Sequence, residues 1–78
     1  MYIVSQNKLA WVKEFVGLHI EVYPKKSYAI CADINIGRDD NSIMLGHYHS
    51  VGRCREIIND LVKADCTNNK IKFEMPER

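Results

Sequence analysis

Only one stretch of this chain carries an apolar period suited to a helix, so one helix must cover whatever sheet the rest builds. After Val51, the residues Cys54, Ile57, Ile58 and Leu61 follow at spacings of three and four, with Val62 and Ala64 at the margins. That pattern places one apolar stripe along a cylinder. Arg53, Arg55, Glu56, Asn59, Asp60 and Lys63 take the other sides. Residues four apart there, such as Glu56 with Asp60, form no opposite-charge pair, so packing has to hold the helix. Ser50 is placed to cap it, its hydroxyl accepting from an otherwise unpaired N–H of the first turn. Gly52 in that turn costs up to about 1 kcal/mol, which predicts a frayed start.

The residues before the helix alternate with period two. Val16, Leu18, Ile20 and Val22 interleave with Gly17, His19, Glu21 and Tyr23. Tyr28, Ile30, Ala32, Ile34 and Ile36 do the same against Ala29, Cys31, Asp33 and Asn35. Both segments read as half-buried strands, and Ser42 to His49 reads as a third. Pro24-Lys25-Lys26-Ser27 separates the first two, where proline removes a ladder donor. Gly37-Arg38-Asp39-Asp40-Asn41 is the second connection, a polar loop. Short turns between such strands predict an antiparallel meander.

The opening, Met1 to Gln6, reads as a strand, followed by a turn at Gln6-Asn7-Lys8. Leu9 to Phe15 has apolar groups on both faces and fits a central strand or a short helix, the strand being favoured. After the helix, Cys66-Thr67-Asn68-Asn69 makes a loop with an asparagine for the C-cap. Ile71, Phe73 and Met75 then alternate with Lys72 and Glu74 until Pro76. The expected fold is α+β in a single domain, 1–78. An antiparallel sheet of about five strands carries one helix, Ser50 to about Ala64, on one face, and a short extended segment ends the chain. The opposite face is thinly polar, with His19, Tyr23, Ala29 and Cys31.

Several functions lose support at this level. Eleven basic against ten acidic side chains leave a net charge of +1, too little for nucleic-acid binding by bulk electrostatics. No apolar run reaches the ~18–20 residues of a membrane span. The N-terminus lacks the features of a secretory signal, and three cysteines without framework spacing suit free thiols in a reducing cytoplasm. No nucleophile elbow, phosphate loop or calcium loop is present, so neither catalysis nor a cofactor is expected.

Some residues still invite chemistry. His47 and His49, two apart on a strand, would share one side and could begin a metal site, with His19 and Cys31 on neighbouring strands and Cys54 close in sequence. The alternative is that Tyr48 packs inward while both histidines face solvent. Cys54 could be activated by the helix dipole and by Arg53 and Arg55, or could be a small buried hydrophobe. Lys25, Lys26, Arg38, Arg53 and Arg55 form the basic set for a nucleic-acid role, with Tyr2, Trp11, Tyr23 and Tyr28 as stacking groups.

Four short motifs resemble a set of small uncharacterised proteins of Gram-positive bacteria and their phages. They are Met1-Tyr2-Ile3-Val4-Ser5-Gln6, Leu45-Gly46 with Tyr48, Arg53-Cys54-Arg55-Glu56-Ile57-Ile58, and Glu74-Met75-Pro76. The resemblance spans most of the chain and implies a sheet-plus-helix fold in a cytoplasmic bacterial or phage setting. It implies no activity. Those proteins have a small residue in place of Cys54 and no paired histidines around Tyr48, so no cysteine or histidine chemistry transfers.

A chain of 78 residues buries only about 60% of the surface that its unfolded form exposes. A lone monomer of that size is marginal. The first functional expectation is therefore a non-enzymatic interaction module, a homodimer or an adaptor, docking through the open sheet face and its free edges.

Overall fold

The computed structural model describes residues 2–36, 39–67 and 72–78, with the side chains of 35, 36, 39, 40, 66 and 67 left aside. The expectations for Arg38, for the C-cap asparagines and for Ile71 lie outside the described residues, as does any contact of the Cys66 thiol.

The fold is α+β with one C-terminal helix. Its elements run β1 (Tyr2–Val4), β2 (Trp11–Val12), β3 (Gly17–Tyr23), β4 (Ser27–Ile36), β5 (Asp39–Tyr48), α1 (Val51–Thr67) and β6 (Lys72–Glu74). The strands form two three-stranded sheets, ordered β3-β4-β5 and β2-β1-β6, rather than one sheet of about five. The larger sheet is the expected antiparallel meander. In the smaller, β1 pairs antiparallel with β2 and parallel with β6.

Alternation explains the larger sheet. In β3, Leu18, Ile20 and Val22 stand opposite Ala32, Ile30 and Tyr28 of β4. Directly opposed residues share a face, so these form the side turned to α1. On the helix, Cys54, Ile57, Leu61 and Ala64 are buried, as the stripe requires, and Val62 is 48% exposed. Ser50 caps the helix: its Oγ accepts from the Arg53 N–H at 3.0 Å. The small sheet closes the same core, contributing Ile3 and Val12, with Met75 just beyond β6, to the cluster with Ile30, Leu45 and Ile57.

Several boundaries differ from expectation; α1 runs to Thr67, taking in Cys66 and Thr67 of the expected loop. Between Leu9 and Phe15 only Trp11 and Val12 pair as strand. The preceding residues are bound into a local loop instead, where Ser5 N–H donates to the Ala10 carbonyl and Ser5 Oγ accepts from the Ala10 N–H. Strand β5 starts at Asp39, inside the expected loop, and ends at Tyr48, so His49 is not on the strand. Within β5 the register shifts beside Ile30 and Cys31, which pair with Gly46 and Met44, leaving Leu45 as the extra residue of a β-bulge. The bulge lets Leu45 enter the core and still turns Tyr48 inward, each no more than 2% exposed.

The β3–β4 connection is Pro24-Lys25-Lys26, because Tyr23 pairs with Ser27. Lys25 and Lys26 both take positive φ, 63° and 57°. Such a pair matches the twist of a tight hairpin but strains residues with a Cβ.

The outer edge of β5 is closed by one residue. Gln6 N–H donates to the Leu45 carbonyl at 2.7 Å. Its side-chain amide then pairs with the backbone of His47, Oε1 accepting from the N–H at 2.9 Å and Nε2 donating to the carbonyl at 3.2 Å. The side chain thus imitates a peptide unit of a further strand. Among the described residues, nothing does the same for the outer edge of β3.

Candidate functional site

The face of the larger sheet away from α1 gathers the polar chemistry. Ala29, Cys31 and Asp33 point to this side from the central strand β4. Opposite them stand Glu21, His19 and Gly17 of β3, and on the other flank His47, Met44 and Ser42 of β5. Ala29 and Cys31 are at most 2% exposed, being small and flanked by longer side chains. His19, Glu21 and Asp33 are all partly open to solvent.

His19 sits between two carboxylates. Its Nδ1 lies 2.9 Å from Asp33 Oδ1, and its Nε2 lies 3.1 Å from Glu21 Oε1. Tyr23 Oη donates to the other Glu21 oxygen, Oε2, at 2.7 Å. The hydrogen bonds to Asp33 and then Glu21 raise the His19 pKa above its ordinary 6.5. Those from Tyr23 and His19 lower Glu21 below 4.5. The Glu21 carboxylate raises Tyr23 in turn, and burial is the main cause raising the Cys31 thiol.

These directions fix a pH dependence. A histidine raised in the folded state contributes fully below its unfolded value of 6.5, and loses that contribution as pH climbs through the folded value. A lowered carboxyl contributes fully above 4.5 and loses it as pH falls through its folded value. The network therefore adds most stability between pH 4.5 and 6.5. Urea midpoints of chelator-treated protein should fall above that window, and His19→Gln should flatten that limb. An unchanged limb in His19→Gln would contradict the assignment.

The sequence-expected residues distribute differently. His47 is exposed, with Nδ1 3.3 Å from Ser27 Oγ and its ring 5.5 Å from that of Tyr23. His49 lies exposed beyond the strand end. Among the described residues, the group whose ligand atoms converge within 4.8 Å is His19, Glu21 and Cys31, not His47 and His49. Tyr48 packs inward between the two histidines; burial pushes its phenol to about 12, and its hydroxyl donates to the Pro76 carbonyl at 2.7 Å. Cys54 is fully buried and its thiol is pushed up by that burial, so it behaves as a small hydrophobe rather than a dipole-activated nucleophile.

The described members of the basic set lie on different elements. Lys25 and Lys26 are exposed in the β3–β4 turn and Arg55 is exposed on the helix. Arg53 is engaged, its Nη1 3.2 Å from Glu56 and its Nε donating to the Arg78 carbonyl at 2.9 Å. Aromatic and basic groups meet instead on the small sheet. Tyr2 and Trp11 pack edge to face at 5.8 Å, with Lys13 over the Tyr2 ring and Lys72 over the Trp11 ring. A cavity of about 320 Å³ beside β4 is lined by Val16, Asp33, Ile34, Asn41 and Ser42, which supply one ionisable group.

Comparisons of the chain with known protein families, with curated proteins and with solved structures found no match. What fold and surface define is a small α+β domain with a half-covered meander. No helix among the described residues is long and apolar enough to cross a membrane.

Proposed function

We propose that the protein is a non-enzymatic interaction module of a bacterial or phage cytoplasm, and that its first partner is a second copy of itself, docked through the edge of β3. The observation that carries this is the contrast between the two edges of one sheet. Gln6 caps the backbone of β5. The seven residues of β3 have no such cap among the described residues, and beside them Val16 is 75% and Val22 73% exposed. An uncapped edge with an apolar flank is a template for strand addition.

The sequence of β3 suits a twofold antiparallel pair. Centred on Ile20, the register sets Leu18 against Val22 of the second copy and His19 against Glu21. No like charges meet, and the apolar residues of the helix-side face become continuous. Isologous pairing of this kind is the commonest closed symmetry. It also adds buried apolar surface to a domain too small to bury much alone.

Sedimentation equilibrium tests the reading. The wild-type chain is expected at twice its monomer mass, and Val22→Lys, at an exposed position, to weaken the association at least about tenfold, or ~1.4 kcal/mol. Val62→Lys on the helix should leave the mass unchanged. A monomer at every concentration, or a dimer indifferent to Val22→Lys, would overturn it.

One observation favours a second reading, single-stranded nucleic acid binding: the Tyr2, Trp11, Lys13 and Lys72 cluster has the stacking and charged groups such binding uses. Salt-dependent retention on RNA or DNA, lost in Trp11→Ala, would establish that reading over self-association.

A further inference from the structure

We infer that His19, Glu21 and Cys31 form a binding site for one divalent transition ion, zinc by its donor set, on the open face of the larger sheet. The site does not require β3 docking, since its ligands all come from one chain and point to the open face, although His19 and Glu21 lie on the docking strand itself.

Three features of geometry carry it. The first is convergence: one nitrogen, one carboxylate oxygen and one sulfur lie within 4.8 Å of one another. They do so because His19 faces Cys31 across the β3–β4 ladder and Glu21 follows two residues along the same face. The second is spacing. Zinc bonds to nitrogen and oxygen are ~2.0–2.1 Å, so two such ligands at a tetrahedral angle stand about 3.3 Å apart. His19 Nε2 and Glu21 Oε1 stand 3.1 Å apart, so an ion fits between them after an adjustment of a few tenths of an ångström.

The third is the set of groups behind the ligands. Metal-binding histidines almost always donate their second ring N–H to a carboxylate or carbonyl, which fixes ring and tautomer. Here Nδ1 of His19 faces Asp33 at 2.9 Å, leaving Nε2 as the ligand. The Glu21 carboxylate is fixed likewise, with Tyr23 Oη on Oε2 and Oε1 turned to the site. Each exposed ligand thus has an orienting partner on the side away from the ion. Cys31 is held in the central strand at 2% exposure, and its thiol hydrogen-bonds to Glu21.

Binding releases two protons to solvent, the thiol proton of Cys31 and the Nε2 proton that His19 directs at Glu21, so that His19 binds as neutral imidazole with Nδ1–H still donated to Asp33. Thiolate and carboxylate together neutralise the dication. Three protein ligands leave the fourth tetrahedral position to water or to an incoming donor.

Cobalt(II) is the probe, since a thiolate ligand gives it a near-ultraviolet charge-transfer band and tetrahedral coordination gives it strong visible absorption. Chelator-stripped full-length protein, titrated with cobalt, should develop both features and saturate at one ion per chain, and zinc should displace it, as the order of affinities requires. Cys31→Ser should abolish the charge-transfer band. His19→Gln, at a partly exposed position that leaves the core intact, should weaken binding at least tenfold. Asp33→Asn should weaken it about 10–100-fold with the band retained, the signature of a positioning residue. His47→Ala should change nothing. No thiolate band in the wild type, a band that survives Cys31→Ser, or cobalt lost with His47→Ala would each overturn the site. A monomeric protein that still binds cobalt would sink the docking proposal and leave this one standing.

Discussion

Ile57→Ala should lower the unfolding free energy by about 2–5 kcal/mol, the range for removing a branched side chain from a closed core. Ile57 is 0% exposed and belongs to the cluster in which residues of the helix, the larger sheet and the small sheet meet. With one helix as the cover, no second element can move in to fill the space. Stability for a chain of this length is of order 4–12 kcal/mol, so the loss takes a large share of it. The melting temperature should drop by at least about 10 °C. Val62→Ala, one turn further along on the exposed side, should change stability by less than about 0.5 kcal/mol. Thermal melts of the two variants side by side check the pair. Equal effects would mean that the apolar stripe does not face the sheet.

Gly46→Ala should destabilise by about 1–3 kcal/mol, the cost of overpacking a closed site. A Cβ there would stand 2.8 Å from Tyr48 Oη, 3.0 Å from its ring and 3.1 Å from Gln6 Cβ. Neither neighbour can give way freely. Tyr48 is buried and bonded to the Pro76 carbonyl, and Gln6 holds the edge of β5. The glycine is therefore a matter of close approach at the bulge, not of backbone sign. Gly52→Ala is the contrast: a Cβ there would have Ser50 Oγ 4.0 Å away, and alanine in a helical turn should stabilise by up to about 1 kcal/mol. Opposite signs in urea unfolding support both assignments; a neutral Gly46→Ala would show that Tyr48 is not held as described.

The sequence reached the helix and the three strands of the meander because their periods are local. Cys54, Ile57 and Leu61 are buried as the stripe requires, and Ser50 caps where a hydroxyl was expected. What it did not reach depends on contacts distant along the chain. The pairing of β1 with β6 is parallel and joins the two ends, which no period discloses. Gln6 looked like an ordinary turn residue, and its role exists only once β5 lies beside it. The bulge at Leu45 was hidden because two successive inward residues break the alternation used to read strands.

The histidines make the point most clearly. His47-Tyr48-His49 attracted attention as a spaced pair, yet His19-Ile20-Glu21 has the same period-two spacing and a better partner. Alternation within each strand placed His19 and Cys31 on one face but did not say which residues stand opposite across the ladder. The observed three-residue turn pairs Tyr23 with Ser27 and brings His19 to Cys31. A shift of one residue changes every cross-strand neighbour and the face it presents. The open face itself was legible, since His19, Tyr23, Ala29 and Cys31 were placed there by alternation alone.

Amide hydrogen exchange at two protein concentrations tests most directly whether one sheet edge is capped and the other awaits a copy. Outward-facing amides of Gly17–Tyr23 should exchange quickly in dilute solution and slow as concentration rises, while His47 N–H, held by Gln6, stays protected at both. Protection along β3 that ignores concentration, or concentration-dependent protection appearing at β5 instead, would contradict the account.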